Sequence, residues 1–134
     1  MTTKKNKTLN ISLWVAQTML AALFLMTGTM KSTQPVPELA KAMPWVNDFS
    51  VEVVRFIGVS EFLGGLGLLL PSLFRIKPSL TPLAALGLLT IMVLALGYHI
   101  NKGEYQVLGF NVILGSLALF VAWGRYKKSP IQPR

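Results

Sequence analysis

Long apolar stretches alternate with short polar ones along this chain, and the spacing of the two predicts its elements. The apolar stretches run from about Leu9 to Met30, Val51 to Leu70, Leu80 to Ile100 and Val107 to Gly124. Each approaches the ~20 residues with which an α-helix crosses a hydrocarbon layer of ~30 Å. In hydrocarbon the backbone groups must bond within their own segment, so stretches of this length are read as helices. The pattern predicts helices at about 9–31, 51–70, 79–100 and 106–124. They form a membrane domain over 9–125, between a basic N-terminus at 1–8 and a basic tail at 126–134.

The connections set the arrangement. The first, Ser32 to Ser50, is the only long one, and Pro35, Pro37 and Pro44 rule out a long regular helix in it. Between the prolines, Glu38 to Met43 has room for a helical turn or two on the outer surface, with Trp45 and Phe49 dipping into the interface. Prolines bound the second, Pro71 to Ser79, and are expected to stop the second helix and start the third. The third, Asn101 to Gln106, is a tight turn containing Gly103. Short links make successive helices antiparallel neighbours, so the expected fold is all-α, an antiparallel bundle of four transmembrane helices. In the second helix Ser60, Gly64, Gly65 and Gly67 cluster, and small residues of this kind let helix backbones approach closely within a membrane.

Composition agrees with a membrane class. The chain is 52% hydrophobic and 13% charged, against about a quarter charged in soluble domains. The net charge of +8 raises the question of nucleic acid. The cations sit at the ends of apolar runs, not on one helical face or among stacking aromatics, which is the pattern of membrane topology and not of nucleic-acid binding. Nine Lys and Arg residues flank the N-terminus, the second connection and the tail, against four on the other side, Lys31, Lys41, Arg55 and Lys102. That bias predicts both ends on the cytoplasmic side. Lys4, Lys5 and Lys7 before an apolar run also suit a signal peptide, but the run is long and no A-x-A-like site follows, so a retained helix is expected. Trp14, Trp123 and Tyr126 fall at inner helix ends, and Trp45, Tyr98 and Tyr105 at outer ends, as two interfacial belts would. With no cysteine, the chain by itself has neither disulfide exchange nor thiolate ligation.

Polar residues inside apolar spans cost free energy and therefore call for a reason. Glu61 lies ten residues before Pro71, about 15 Å from the inner end at a rise of ~1.5 Å per residue. So deep a carboxyl is expected to be neutral or paired. Arg55 lies about 120° round the same helix and is no intrahelical partner for Glu61. It either snorkels outward or joins a structural ion pair. Lys31 shares a stripe with Gly28, Phe24, Ala21 and Gln17. It is either an interfacial lysine or a cation turned towards Glu61. His99 ends the third helix and, as the one histidine, makes no metal site without carboxylate help. Asn111 is expected to hydrogen-bond between helices. Together Lys31, Arg55, Glu61, His99 and Asn111 read as a polar ladder open to the outer face, above an inner half with almost no ionisable side chain.

These residues carry a resemblance. Gly28-Thr-Met-Lys31, Arg55-Phe-Ile-Gly58-Val-Ser-Glu61-Phe-Leu-Gly64-Gly-Leu-Gly67, Pro71, Leu80-Thr-Pro-Leu, the Met92 to His99 stretch, Gly103-Glu-Tyr, Asn111 and Ala122-Trp-Gly-Arg125 resemble the DoxX-like membrane proteins of bacteria. The resemblance implies a four-helix fold in the bacterial inner membrane. It also implies a link to quinone-dependent oxidoreductase systems, and it assigns no catalytic residue. Two functions are therefore expected. One is a non-catalytic binding or assembly protein whose partners are the lipid bilayer and further copies of itself. The other is an accessory subunit beside a partner oxidoreductase, with quinone as the cofactor that Glu61 and Lys31 could serve. Transport by an oligomer is a third. The chain has no cofactor motif of its own.

Overall fold

A computed structural model describes residues 4–133 of the chain, without the side chains of residues 4–6. Of the cations counted for orientation, the side chains of Lys4 and Lys5 and the whole of Arg134 lie outside the described residues. Five α-helices are present among them: α1 (Lys4–Thr33), α2 (Val36–Ala42), α3 (Val51–Phe74), α4 (Leu80–Lys102) and α5 (Leu108–Trp123). Four segments are long and apolar enough to cross a membrane, Lys7–Thr33, Val51–Phe74, Leu80–Lys102 and Tyr105–Lys128. They pack as an antiparallel ring in which α1 and α4 each lie against both α3 and α5.

Each long helix buries one seam. On α1 it runs through Leu13, Gln17, Leu20, Phe24, Gly28 and Lys31, and on α3 through Val54, Gly58, Glu61, Gly65, Leu68 and Ser72. Spacings of three and four keep each set on one face. The remaining surface is apolar, with Phe56 and Leu94 largely exposed, as suits a molecule whose solvent is lipid. Because lipid gives apolar side chains no reason to leave it, packing must come from close approach. The closest approach joins α1 to α3. A Cβ on Gly28 would lie 2.6 Å from the Phe62 nitrogen, and one on Gly58 2.7 Å from the Lys31 carbonyl carbon. Of the small residues singled out in α3, Gly65 faces Leu25 of α1, while Gly64 and Gly67 face Leu88 and Ala84 of α4. Ser60 lines the groove between α3 and α4.

Pro71 does not end the second long helix, which continues through it to Phe74. Proline lacks the N–H that would bond the carbonyl of Gly67. The Thr81 hydroxyl of α4 supplies that bond instead, at 3.1 Å, and accepts in turn from Ser72 at 2.6 Å. One residue on, the Leu68 carbonyl accepts from Gln17 Nε2 of α1 at 2.7 Å. Neighbouring helices thus satisfy the backbone where the proline loosens it, the arrangement that lets proline persist in membrane helices.

The long first connection is ordered as a strap. α2 begins at prolines, a 3₁₀ turn follows over Pro44–Asp48, and Ser50 caps α3 by accepting from the Val53 N–H. Leu39 and Val46 of the strap bury themselves against Val54 in a small core of their own. The main core joins Leu20, Phe24, Leu68, Leu88, Ala118 and Val121 nearer the other end. At that end α5 passes into a π-helical turn, Gly124–Lys128.

Candidate functional site

Two buried polar centres lie towards opposite ends of α1. In the first, Lys31 Nζ donates to both carboxylate oxygens of Glu61, at 2.9 and 3.1 Å, and Thr27 Oγ1 adds a longer bond of 3.4 Å. Glu61 is 1% exposed. The seams of α1 and α3 bring the pair together, and the Gly28–Gly58 contact sets the distance between the two helices. The strap also lays the Trp45 ring 5.2 Å from Lys31 Nζ, a cation–π contact. The polar ladder expected to open to the outer face is thus closed at its deepest rung: Glu61 is spent on Lys31, and Trp45 covers the lysine.

The other residues of that ladder do not join the pair through their side chains. Arg55 is half-buried and, among the described residues, forms no ion pair. Its Nη1 donates to the Lys31 carbonyl at 2.9 Å. That carbonyl is one of the last four of α1, which have no partner within the helix, and a cation there also suits the helix dipole. His99 Nδ1 bonds Glu104 at 2.9 Å, across the turn from α4 to α5. Asn111 lies in the first turn of α5, and its buried Nδ2 makes no hydrogen bond, where a bond between helices was expected.

The strap is fastened to the C-terminal end of α4. Tyr98 donates to Asp48, Lys102 Nζ lies 3.5 Å from the same carboxylate, and the Phe49 ring sits 5.3 Å from that of Tyr98. The Tyr98 hydroxyl, helped by the Lys102 charge, holds the Asp48 carboxyl below its ordinary range. Trp45, Asp48, Tyr98, Lys102 and Glu104 surround a small cavity of about 190 Å³.

The second centre was not foreseen. Arg125, counted in the sequence as a flanking cation, is 3% exposed. Its Nε donates to Gln17 Oε1 at 2.6 Å, and its Nη1 to Asn10 Oδ1 at 2.7 Å and to the Ser129 carbonyl at 2.8 Å. Its guanidinium stands 5.4 Å from the Trp14 ring. This end of the bundle, read from the sequence as having almost no ionisable side chain, thus holds one buried cation. A signal for it exists. Leu114, Ala118, Val121 and Ala122 form the buried seam of α5, and Arg125 continues that seam at the next helical spacing. The guanidinium is anchored without a carboxylate: every acceptor found for it is a neutral oxygen.

A third feature is apolar. A groove of about 560 Å³ runs between α3 and α4 on the lipid side, lined by Ser60, Leu63, Gly64, Gly87 and Ile91 among others.

Fold and centres together define a small multi-pass membrane protein that holds, among the described residues, a buried Lys–Glu ion pair and a buried cation without a carboxylate partner. A model of the DoxX-like family matches residues 15–121, and the chain belongs to that family. No match is found among curated proteins or among solved structures.

Proposed function

We propose that this chain is a non-catalytic binding or assembly protein of the bacterial inner membrane, inserted with both ends in the cytoplasm. The observation that carries this reading is the engagement of Glu61. Both of its oxygens are taken by Lys31 and its surface is closed. A carboxyl that passed protons to a ligand would need a free face within hydrogen-bond reach of that ligand. The pair instead clamps α1 to α3 and leaves the apolar exterior, with its groove between α3 and α4, as the surface for lipid or for partner helices. The charge bias supports the orientation, because nine of thirteen Lys and Arg residues flank the ends assigned to the cytoplasm.

Affinity purification of the chain with its native lipid, followed by mass spectrometry, tests the role. The expected result is lipid and membrane-protein partners without a bound redox group. Quinone retained at about one per chain, and lost in Glu61→Gln, would overturn it in favour of an accessory subunit of a quinone-linked oxidoreductase. Orientation has its own test. A reporter active only outside the cytoplasm should be silent after Arg134 and active when inserted near Ala42.

A further inference from the structure

The two ends of the bundle differ in charge more sharply than orientation alone requires. All five acidic residues, Glu38, Asp48, Glu52, Glu61 and Glu104, lie from the depth of Glu61 towards the strap end. Among the described residues the opposite end holds Lys7, Arg75, Lys77, Arg125, Lys127 and Lys128 and no acidic side chain. Part of this cationic end is a built structure. Arg75 Nε donates to the Gln132 carbonyl at 2.7 Å, and Arg125 Nη1 donates to the Ser129 carbonyl at 2.8 Å. The tail is thereby stapled across the end of the bundle, between the α3–α4 turn and the π-helical turn. In the α3–α4 turn, Arg75 and Lys77 have φ of 57° and 48°. This left-handed region is one that glycine enters freely and other residues seldom do. Two long cations occupy it instead, both exposed.

In the π-helical turn Arg125 is buried against neutral oxygens alone, so its charge stays uncancelled in a medium that screens poorly. Exposed Lys127 and Lys128 flank it. Between and beside the cations stand exposed apolar side chains: Leu73, Phe74, Ile76 and Tyr126. A surface that alternates cations with apolar groups at the end of membrane-spanning helices matches a molecule with a phosphate on one part and hydrocarbon on the next.

We propose that this end of the bundle binds the phosphate of an anionic phospholipid. Arg75, Lys77, Lys127 and Lys128 make the contacts, Arg125 is a fixed, buried positive charge, and the acyl chains lie along Phe74 and Ile76. Free phosphate shares the headgroup's charge but has no use for the apolar neighbours, which is why the lipid is the ligand assigned. The site belongs to one end of the bundle whichever side that end faces, so it stands or falls separately from the orientation proposed above.

The full chain, purified in detergent and then given phosphatidylglycerol or phosphatidylcholine, is examined by native mass spectrometry and thermal unfolding. Phosphatidylglycerol should be retained preferentially and should raise the unfolding temperature, and the preference should fall as salt rises. Each exposed cation neutralised should weaken retention about fivefold. The variant Arg75→Gln/Lys77→Gln/Lys127→Gln/Lys128→Gln should therefore lose the preference, whereas Lys41→Gln/Lys102→Gln at the other end should keep it. If the fourfold variant fails to fold, Lys127→Gln/Lys128→Gln reads the same effect at about twenty-five-fold, without disturbing the α3–α4 turn. Equal retention of the two lipids, or a preference that survives these changes, overturns the proposal. Inorganic phosphate that matches the stabilisation by phosphatidylglycerol overturns the lipid assignment and leaves a simple anion site.

Discussion

Lys31 and Arg125 are both cations buried along α1, and they are accommodated in different ways. Lys31 meets a carboxylate on the neighbouring helix, whereas Arg125 meets only amide and carbonyl oxygens. The chemistry of the two side chains accounts for part of this. A lysine ammonium is a compact charge that neutral acceptors stabilise poorly once water is removed. A guanidinium spreads its charge over five N–H groups and tolerates weaker hydration. The consequence is mechanical. Breaking the first centre strands an opposite charge in hydrocarbon, and breaking the second strands only dipoles.

The largest expected effect follows from that. Lys31→Met and Glu61→Gln should each destabilise the bundle by about 3–5 kcal/mol, because each leaves the partner unmatched in a closed site. The double variant should lose clearly less than the sum. Equilibrium unfolding in detergent measures all three, and additive losses would show that the 2.9 Å contact carries no coupling. Arg125→Met should cost less, about 1–3 kcal/mol, since it leaves Gln17 and Asn10 short of a donor and strands no charge. A loss equal to that of Lys31→Met would break the comparison.

Gly58→Ala sharpens it. The new methyl would meet the Lys31 backbone at 2.7 Å, and backbone cannot yield as a side-chain tip can. About 1–3 kcal/mol of overpacking is expected. Because the helices must part, the measured coupling of Lys31 to Glu61 should weaken in this background, while the Arg125 centre should be unaffected.

The smallest effect concerns the fastening of the strap over the first centre. Asp48 is held below its ordinary range by Tyr98 and Lys102, so its contribution is present above the unfolded-state pKa and is lost as pH falls through the lowered one. Trp45 emission, read in a chain with Trp14→Phe and Trp123→Phe, should therefore stay constant from neutral pH to below the usual carboxylate range and change only under stronger acid. Asp48→Asn should remove that acid transition. A transition unchanged in the variant would assign it to another group.

The comparison also separates what the sequence discloses from what it conceals. The four spans are legible because a run of twenty apolar side chains has few other meanings. Glu61 is legible because an acid in such a run has no cheap explanation, and Lys31 because its stripe points inward. Arg125 is concealed for the opposite reason: a cation after the last apolar residue is what any membrane helix carries, and burial there depends on Gln17 and Asn10, more than a hundred residues earlier in the chain. Pro71 misleads in a similar way. Its local meaning is a helix end, and the Thr81 hydroxyl that lets α3 continue belongs to another helix. The contact of Gly28 with Gly58 is likewise a property of two helices, while Ser60, Gly64, Gly65 and Gly67 attract notice by clustering within one.

The ion pair has a further consequence, for the order in which the chain is made. Glu61 is a burden to α3 whenever that helix meets lipid alone, and its counter-charge lies on the span synthesised just before it. α1 is therefore expected to stay beside the insertion channel until α3 arrives, so that the two leave it as a joined hairpin. On that hairpin the Gln17 amide already holds the Leu68 carbonyl, while its Oε1 and the Asn10 side chain await Arg125 from the last span. A chain cut after Phe74 should accordingly insert both of its spans, and the same chain with Lys31→Met should strand the second. That outcome would make the first hairpin the template on which α4 and α5 are laid during synthesis.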